Sequence, residues 1–258
     1  KYLLIADDNF GMYPEDVEIA RIIARVREKY DFPHHLQVCA GKNNQPRIIQ
    51  CSDILKGTLR FGASIQSMDD EVLANVKRSN ISYQTLIDLS MRVSDTEASS
   101  YSEVILALPG DSKEKHYSTI DKVVDAGINQ IRLLTLIILD GSELGTDAER
   151  NKFNIKTRYR AVHRSFGTYE INGEKFPSVE IEEVCVENQS LPFDDYVECR
   201  RFALTVTLFY NDKVMFELTQ FIKNMGLRVS QWIHYAHEHY AEFPKKLADI
   251  YDQFTKET

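Results

Sequence analysis

Residues 102–112 read Ser102-Glu103-Val104-Ile105-Leu106-Ala107-Leu108-Pro109-Gly110-Asp111-Ser112, and this stretch decides the fold. The run Glu103–Leu108 is too short for a helix and too continuously apolar for a half-solvated strand. It predicts a strand buried on both faces. Pro109-Gly110 ends it. Ser112 supplies an N-cap oxygen for a helix to Ala126, which Gly127 stops. A second apolar run, Gln130–Ile138, follows and ends at Asp140-Gly141. Strand, helix and strand in this order predict a parallel βαβ unit.

The same rhythm extends toward the N-terminus. Tyr2–Ala6, Leu36–Ala40 and Leu59–Ile65 read as strands. A helix opens at Pro14, with Glu15 and Asp16 in the first turn, where the helix dipole favours acids. Its apolar residues Ile19, Ile22, Ile23, Val26 and Tyr30 recur at helical spacing. Pro46–Lys56 reads as a second helix. Ser67 is the expected cap of a helix over Asp69–Arg78, and Ser82 of another to about Thr96. Polar residues gather just after the strands: Asp7-Asp8-Asn9, Gly41-Lys42-Asn43, Gln66-Ser67 and Asp140. In βα folds that end of the sheet carries the binding face.

After Gly145 the rhythm breaks. Asn151–Arg164 is basic and reads as a solvated face or linker. Tyr169–Val186 predicts a hairpin around Asn172-Gly173. The chain is helical again from Pro192 to Phe209 and from Lys213 to Met225, where Gly226 stops it. The expected organisation is a βα unit over residues 1–145 and a mixed appendage over 146–258.

The chain has 258 residues, 43% hydrophobic and 27% charged, which suits a globular protein with a substantial core. Its net charge of −8 disfavours binding to nucleic-acid phosphates. No apolar run is long enough to span a membrane. No signal-peptide pattern precedes the first strand, and Cys39, Cys51, Cys185 and Cys199 lack CxxC spacing. They predict reduced, mostly buried thiols in a cytoplasmic protein. The chain opens at Lys1 inside a strand pattern, which suggests a segment of a longer protein. His234, His237 and His239 have no acidic or cysteine partner at ligand spacing, so they read as part of a surface helix and not as a metal site. Asp69-Asp70 and Asp194-Asp195 read as first-turn helix acids. P-loop, GxGxxG and GxSxG motifs are absent.

Four segments, taken in order, carry a resemblance. They are Ala6-Asp7-Asp8-Asn9-Phe10-Gly11; Ala63-Ser64-Ile65-Gln66-Ser67 with Val72–Arg78; Ser102–Ser112; and Leu134–Leu144. Together they resemble the catalytic barrel of radical S-adenosylmethionine (SAM) enzymes. The branch is the one with an upstream cobalamin-binding domain, such as the anaerobic magnesium-protoporphyrin monomethyl ester cyclase-like proteins. The resemblance covers residues 1–144. It implies a partial (β/α) TIM-like barrel missing its first strand, followed by a mixed α+β C-terminal appendage.

The resemblance also implies a SAM site. Gln66 and Arg78 meet SAM, with the Arg78 guanidinium on the carboxylate through a charge-assisted bond. Glu103 binds the ribose hydroxyls, and Asp7, Asp8 and Asn9 accept from the SAM ammonium. No catalytic residue and no metal ligand is assigned. The family holds a [4Fe–4S] cluster on a CxxxCxxC motif that none of the four cysteines matches. The cluster, and any cobalamin, would therefore belong to the full-length parent, and this segment alone should be inactive. The implied parent is an enzyme, an oxidoreductase or transferase. It would cleave SAM reductively to a 5′-deoxyadenosyl radical and carry out methyl transfer or an oxidative cyclisation. Its partners would be a small-molecule substrate and an electron donor. One rival is a methylthiotransferase of the same superfamily, which the helical, acidic tail from Pro192 disfavours. A non-catalytic α/β ligand-binding module is the other. A bare strand edge along Tyr2–Ala6 predicts pairing of two copies into a homodimer.

Overall fold

A computed structural model describes residues 2–7, 9–38, 41, 44–56, 61–79, 82–94 and 100–258. Asp8, Cys39, Lys42 and Asn43 lie outside these residues. The βα rhythm is present as β1 (Tyr2–Leu4), α1 (Pro14–Tyr30), β2 (His35–Gln37), α2 (Gln45–Ile54), β3 (Phe61–Gln66), α3 (Asp70–Asn75), α4 (Tyr83–Ser94), β4 (Ser100–Leu106), α5 (Lys113–Asp125), β5 (Gln130–Thr135) and β6 (Ile137–Ile138). Local signals account for most boundaries. Ser112 accepts from the Lys115 amide at 3.3 Å to cap α5, and Gly127 at φ +86° ends it. At α3 the expected cap is replaced. Asp69 accepts from the Val72 amide at 3.1 Å, while the Ser67 hydroxyl accepts from Asp69 itself. A carboxylate at the N-cap also complements the helix dipole, which a hydroxyl cannot.

The parallel strands are present, but among the described residues they do not form one barrel sheet. β1 pairs with β2, and β3–β4–β5 form a separate parallel sheet. β1 and β2 are only half-buried. Leu3, Ile5, Leu36 and Val38 pack on the helices, while Tyr2 and Leu4 are 74% and 67% exposed on the opposite face. β4 differs from its expected start: it begins at Ser100, so Glu103 lies inside the strand and not at its beginning. At Leu136 the chain changes partners. The Leu136 amide donates to Leu106 and its carbonyl accepts from Cys185, each at 2.9 Å. β6 then pairs antiparallel with β8 (Glu174–Glu187), which pairs with β7 (Lys156–Ile171).

β7 and β8 form a long ribbon closed by Asn172 at φ 53° and Gly173 at φ 84°, with Ile171 opposite Glu174. Two left-handed residues between directly paired strands are what a type I′ turn requires. The basic stretch is therefore not a linker. It supplies part of α6 (Asp147–Phe153) and the first half of β7, whose cations meet β8 carboxylates: Arg150 with Glu183, Lys156 with Glu187 and Arg160 with Glu182. Cross-strand acids opposite Lys156 and Arg160 account for two of the cations in the strand.

Four helices complete the chain: α7 (Phe193–Phe209), α8 (Phe216–Asn224), α9 (Val229–Glu238) and α10 (Lys245–Glu257). One apolar core includes Ala20, Ile48, Ile65, Leu86, Val104, Ile131, Phe202 and Ile233, so α7 and α9 pack into the same core as the βα elements. Two side chains fasten this packing, one to the end of α5 and the loop after it and one to β5. The Tyr210 hydroxyl donates to the Val124 and Ile128 carbonyls at 3.1 and 2.7 Å. Asn211 accepts from the Ile131 amide at 2.8 Å and donates to its carbonyl at 2.9 Å, occupying the outer edge of β5 as a neighbouring strand would.

The histidines of α9 are not on a solvated surface. His237 is 4% exposed, between Thr205 at 3.0 Å and Glu198 at 2.9 Å. His234 bonds Asp121 at 2.8 Å. No group of three metal-ligating side chains occurs among the described residues. Among those residues no helix is long and apolar enough to cross a membrane.

Candidate functional site

The carboxyl ends of β1, β3 and β4 present the polar loops, and each is built by local constraints. After β1, Asp7 accepts from the Asn9 amide at 2.8 Å. Buried Asp16 accepts from the Gly11 and Tyr13 amides, both at 2.9 Å, and holds the loop against the start of α1. Gly11 sits at φ +90°, and a Cβ there would lie 2.8 Å from Ile48. The loop is thus fixed by a carboxylate and a close approach that only glycine permits.

β3 and β4 each leave the sheet through a left-handed residue that is not glycine. Gln66 has φ +63° and Ala107 has φ +68°. Such conformations cost about 1–3 kcal/mol each and cluster where a loop must be placed for function. The Asn188 amide donates to the Ala107 and Leu108 carbonyls at 3.2 and 3.3 Å, holding the β4 exit from the far end of β8. Asn75 donates to the Pro109 carbonyl at 3.0 Å. Next to it Asp111 is 1% exposed, with His116 Nδ1 3.4 Å from its carboxylate. Burial pushes the Asp111 carboxyl above its ordinary range, against the pull of His116.

Gln66 lies opposite Val104 in the β3–β4 register, so Glu103 is one residue along the adjacent strand. Val104 faces the helices, and Glu103 points to the other face of the sheet. There its carboxylate meets Arg132 of β5 at 3.2 Å, directly across the strands, and the Arg132 guanidinium lies over the Tyr101 ring at 4.4 Å. Arg78 is elsewhere. α3 ends at Asn75, so Arg78 lies beyond the helix, its amide donating to the Leu73 carbonyl at 2.9 Å. It lines an open depression with Met68, Asp70, Leu73 and Tyr83. Met68 links that depression to the Gln66 loop, but Gln66 is not in its wall. The structure therefore sets Gln66 one register position from Glu103 on the neighbouring strand without joining their side chains, keeps Asp7 and Asn9 on their own loop, and puts Arg78 in a neighbouring depression.

Arg132, Asp16 and the Asp111–His116 pair were not singled out from the sequence. Arg132 lies inside an apolar run, which masks its place on the uncovered face. Asp16 reads only as a first-turn acid until the loop before it is seen.

None of the described cysteines fits a cluster. Cys51, Cys185 and Cys199 are buried on α2, β8 and α7. Burial pushes the Cys51 and Cys185 thiols up to about 11 and Cys199 higher still. Iron ligation needs thiolates that converge in space, and no three metal-ligating side chains do so among the described residues.

No family model matches the chain. It is similar to the cobalamin-dependent radical SAM methyltransferase TokK of Streptomyces tokunonensis, 29% identical over 217 residues that cover 81% of this chain and 30% of TokK. It is also similar to 2-(S-pantetheinyl)-carbapenam-3-carboxylate methyltransferase of Streptantibioticus cattleyicolor, 28% identical over 216 residues covering 81% of this chain and 30% of that protein. The chain thus spans about a third of the length of the curated relatives it matches. Among solved structures, the radical SAM methyltransferase TsrM of Kitasatospora setae aligns with TM-scores of 0.47 and 0.42, at 13% and 14% identity. Those alignments cover 67% and 52% of this chain and 31% and 27% of TsrM. Over about four-fifths of its length this chain is similar to two methyltransferases, one of them a cobalamin-dependent radical SAM enzyme.

Proposed function

We propose that the chain forms the SAM-facing part of a methyltransferase that acts on a small molecule. One observation carries this: the same segment is shared with two curated proteins, both named as methyltransferases. Methyl transfer is therefore favoured over oxidative cyclisation, over methylthiolation and over a non-catalytic ligand-binding role. SAM, when bound, supplies an electrophilic methyl group on a sulfonium. Glu103 accepts from the ribose hydroxyls, and Arg132 orients its carboxylate. Arg78, which has no carboxylate partner among the described residues, takes the SAM carboxylate. Asp7 and Asn9 accept from the ammonium together with Asp8, which lies outside the described residues. The strained exit at Gln66 sets the loop between these groups. The described cysteines, buried on separate elements, do not fit a [4Fe–4S] cluster. A small-molecule substrate and an electron donor are the expected partners of the whole protein, in the cytoplasm.

The test is SAM titration of the full-length protein by calorimetry. Arg78→Ala and Glu103→Gln should each weaken binding about tenfold or more, the scale of a lost bond to a charged group. Unchanged affinity in both variants would remove the assignment.

A further inference from the structure

The base of the β7–β8 ribbon meets α7 and α10 in an open cleft of about 440 Å³. Three arginines line it: Arg158 and Arg160, which alternate onto one face of β7, and Arg200 of α7. Its aromatic walls are Tyr159, Tyr196 and Phe254. Arg160 is paired with Glu182. The other two have no carboxylate within ion-pair distance among the described residues. Each stacks on a ring instead, Arg158 over Phe193 at 4.5 Å and Arg200 over Phe254 at 5.3 Å. Glu257 also lines the cleft, but its carboxylate accepts from Gln253 at 2.8 Å.

Three guanidiniums cluster here near the carboxylates of Glu182 and Glu257 and the last residue of the chain, Thr258, and neither Arg158 nor Arg200 is ion-paired among the described residues. Burial pulls Arg200 below its ordinary value, and the like charge of Arg160 adds to this, with only Tyr196 opposing. Desolvating a cation beside another cation is unfavourable unless an anion enters. The planar fork of arginine matches carboxylate and phosphate oxygens, and its stacking on Phe193 and Phe254 leaves the N–H edges available. The chain as a whole is acidic, so this basic cleft is not a by-product of composition.

We propose that this cleft binds the carboxylate or phosphate group of a small molecule whose apolar body packs on Tyr159, Tyr196 and Phe254. The site is on different elements from Gln66, Arg78 and Glu103, and the inference does not rest on methyl transfer.

The experiment is calorimetric titration of the 258-residue chain with phenyl phosphate, benzoate and inorganic phosphate, with circular dichroism to check the fold of each variant. One-to-one saturable binding of phenyl phosphate or benzoate is expected, tighter than that of inorganic phosphate and weaker at high salt. The preferred anion identifies the group the site takes. Arg158→Met and Arg200→Met should each weaken binding about ten- to a hundredfold, and Glu257→Gln should tighten it. Arg158 is exposed, so its variant tests the site even if Arg200→Met unfolds. Failure of every anion to saturate, or binding indifferent to Arg158→Met, would overturn the proposal.

Discussion

His234 and Asp121 join α9 to α5 through a 2.8 Å bond between partly buried side chains. The bond to Asp121 raises the imidazole above its ordinary value, against burial. The folded state therefore holds this proton more tightly than the unfolded one. The stabilisation is complete below about pH 6.5 and is lost as pH rises through the folded value. Asp121→Asn should lower the melting temperature by an amount worth about 1 kcal/mol in mild acid, with a gap to wild type that shrinks at alkaline pH. A gap that is constant with pH would mean the pair is not the cause. Residue-level legibility was uneven. Gly127, Gly226 and Asn172-Gly173 announce their left-handed backbones by residue type. Gln66 and Ala107 do not, because neither side chain favours that conformation, and only the loop around each imposes it. Arg132 was hidden by the apolar run that contains it.

Two glycines separate the ways an element can depend on its backbone. At Gly11 both the φ of +90° and contact with the Ile48 backbone oppose a side chain. At Gly173 the φ of +84° opposes it, but nothing lies within 4 Å of the added Cβ. Gly11→Ala should cost about 2 kcal/mol or more and Gly173→Ala about 1 kcal/mol, read as midpoints of urea unfolding. Equal losses would show that φ alone matters at both. Cap, period and stop agree along α5, while α1 and α7 were legible from a proline and acids at their starts. β1 and β2 are shorter than the apolar runs that announce them, and three-residue strands carry too little pattern to tell one covered face from two. The full length of the β7–β8 ribbon was missed because the acids that pair with its cations lie 22 and 31 residues further along the chain.

At the scale of the molecule, the three described cysteines are buried on separate elements, so no loop of the described chain offers thiolates together. Anaerobic reconstitution of the chain should give no stoichiometric iron–sulfide absorbance; four irons per chain would contradict this. The outer edge of β1 is unpaired among the described strands, and Tyr2 and Leu4 are exposed beside it. Parallel edges of this kind associate. Light scattering should find dimers that Leu4→Lys converts to monomers, whereas a wild-type monomer at high concentration would refute the edge contact. The βα order was legible over the first half because apolar strands and caps alternate there. The continuation of the core into α7 and α9 was not, since nothing in a helix's own period names the surface it meets. Asn211 has a further consequence. Its side-chain amide occupies both polar groups of Ile131 on an edge strand, so solvent has no route to that peptide until α7 and the residues after it detach. The Ile131 amide should then exchange its proton for deuterium at the slow rate of an interior strand, and Asn211→Ala should release that single amide to rapid exchange while its neighbours on β4 keep their clock.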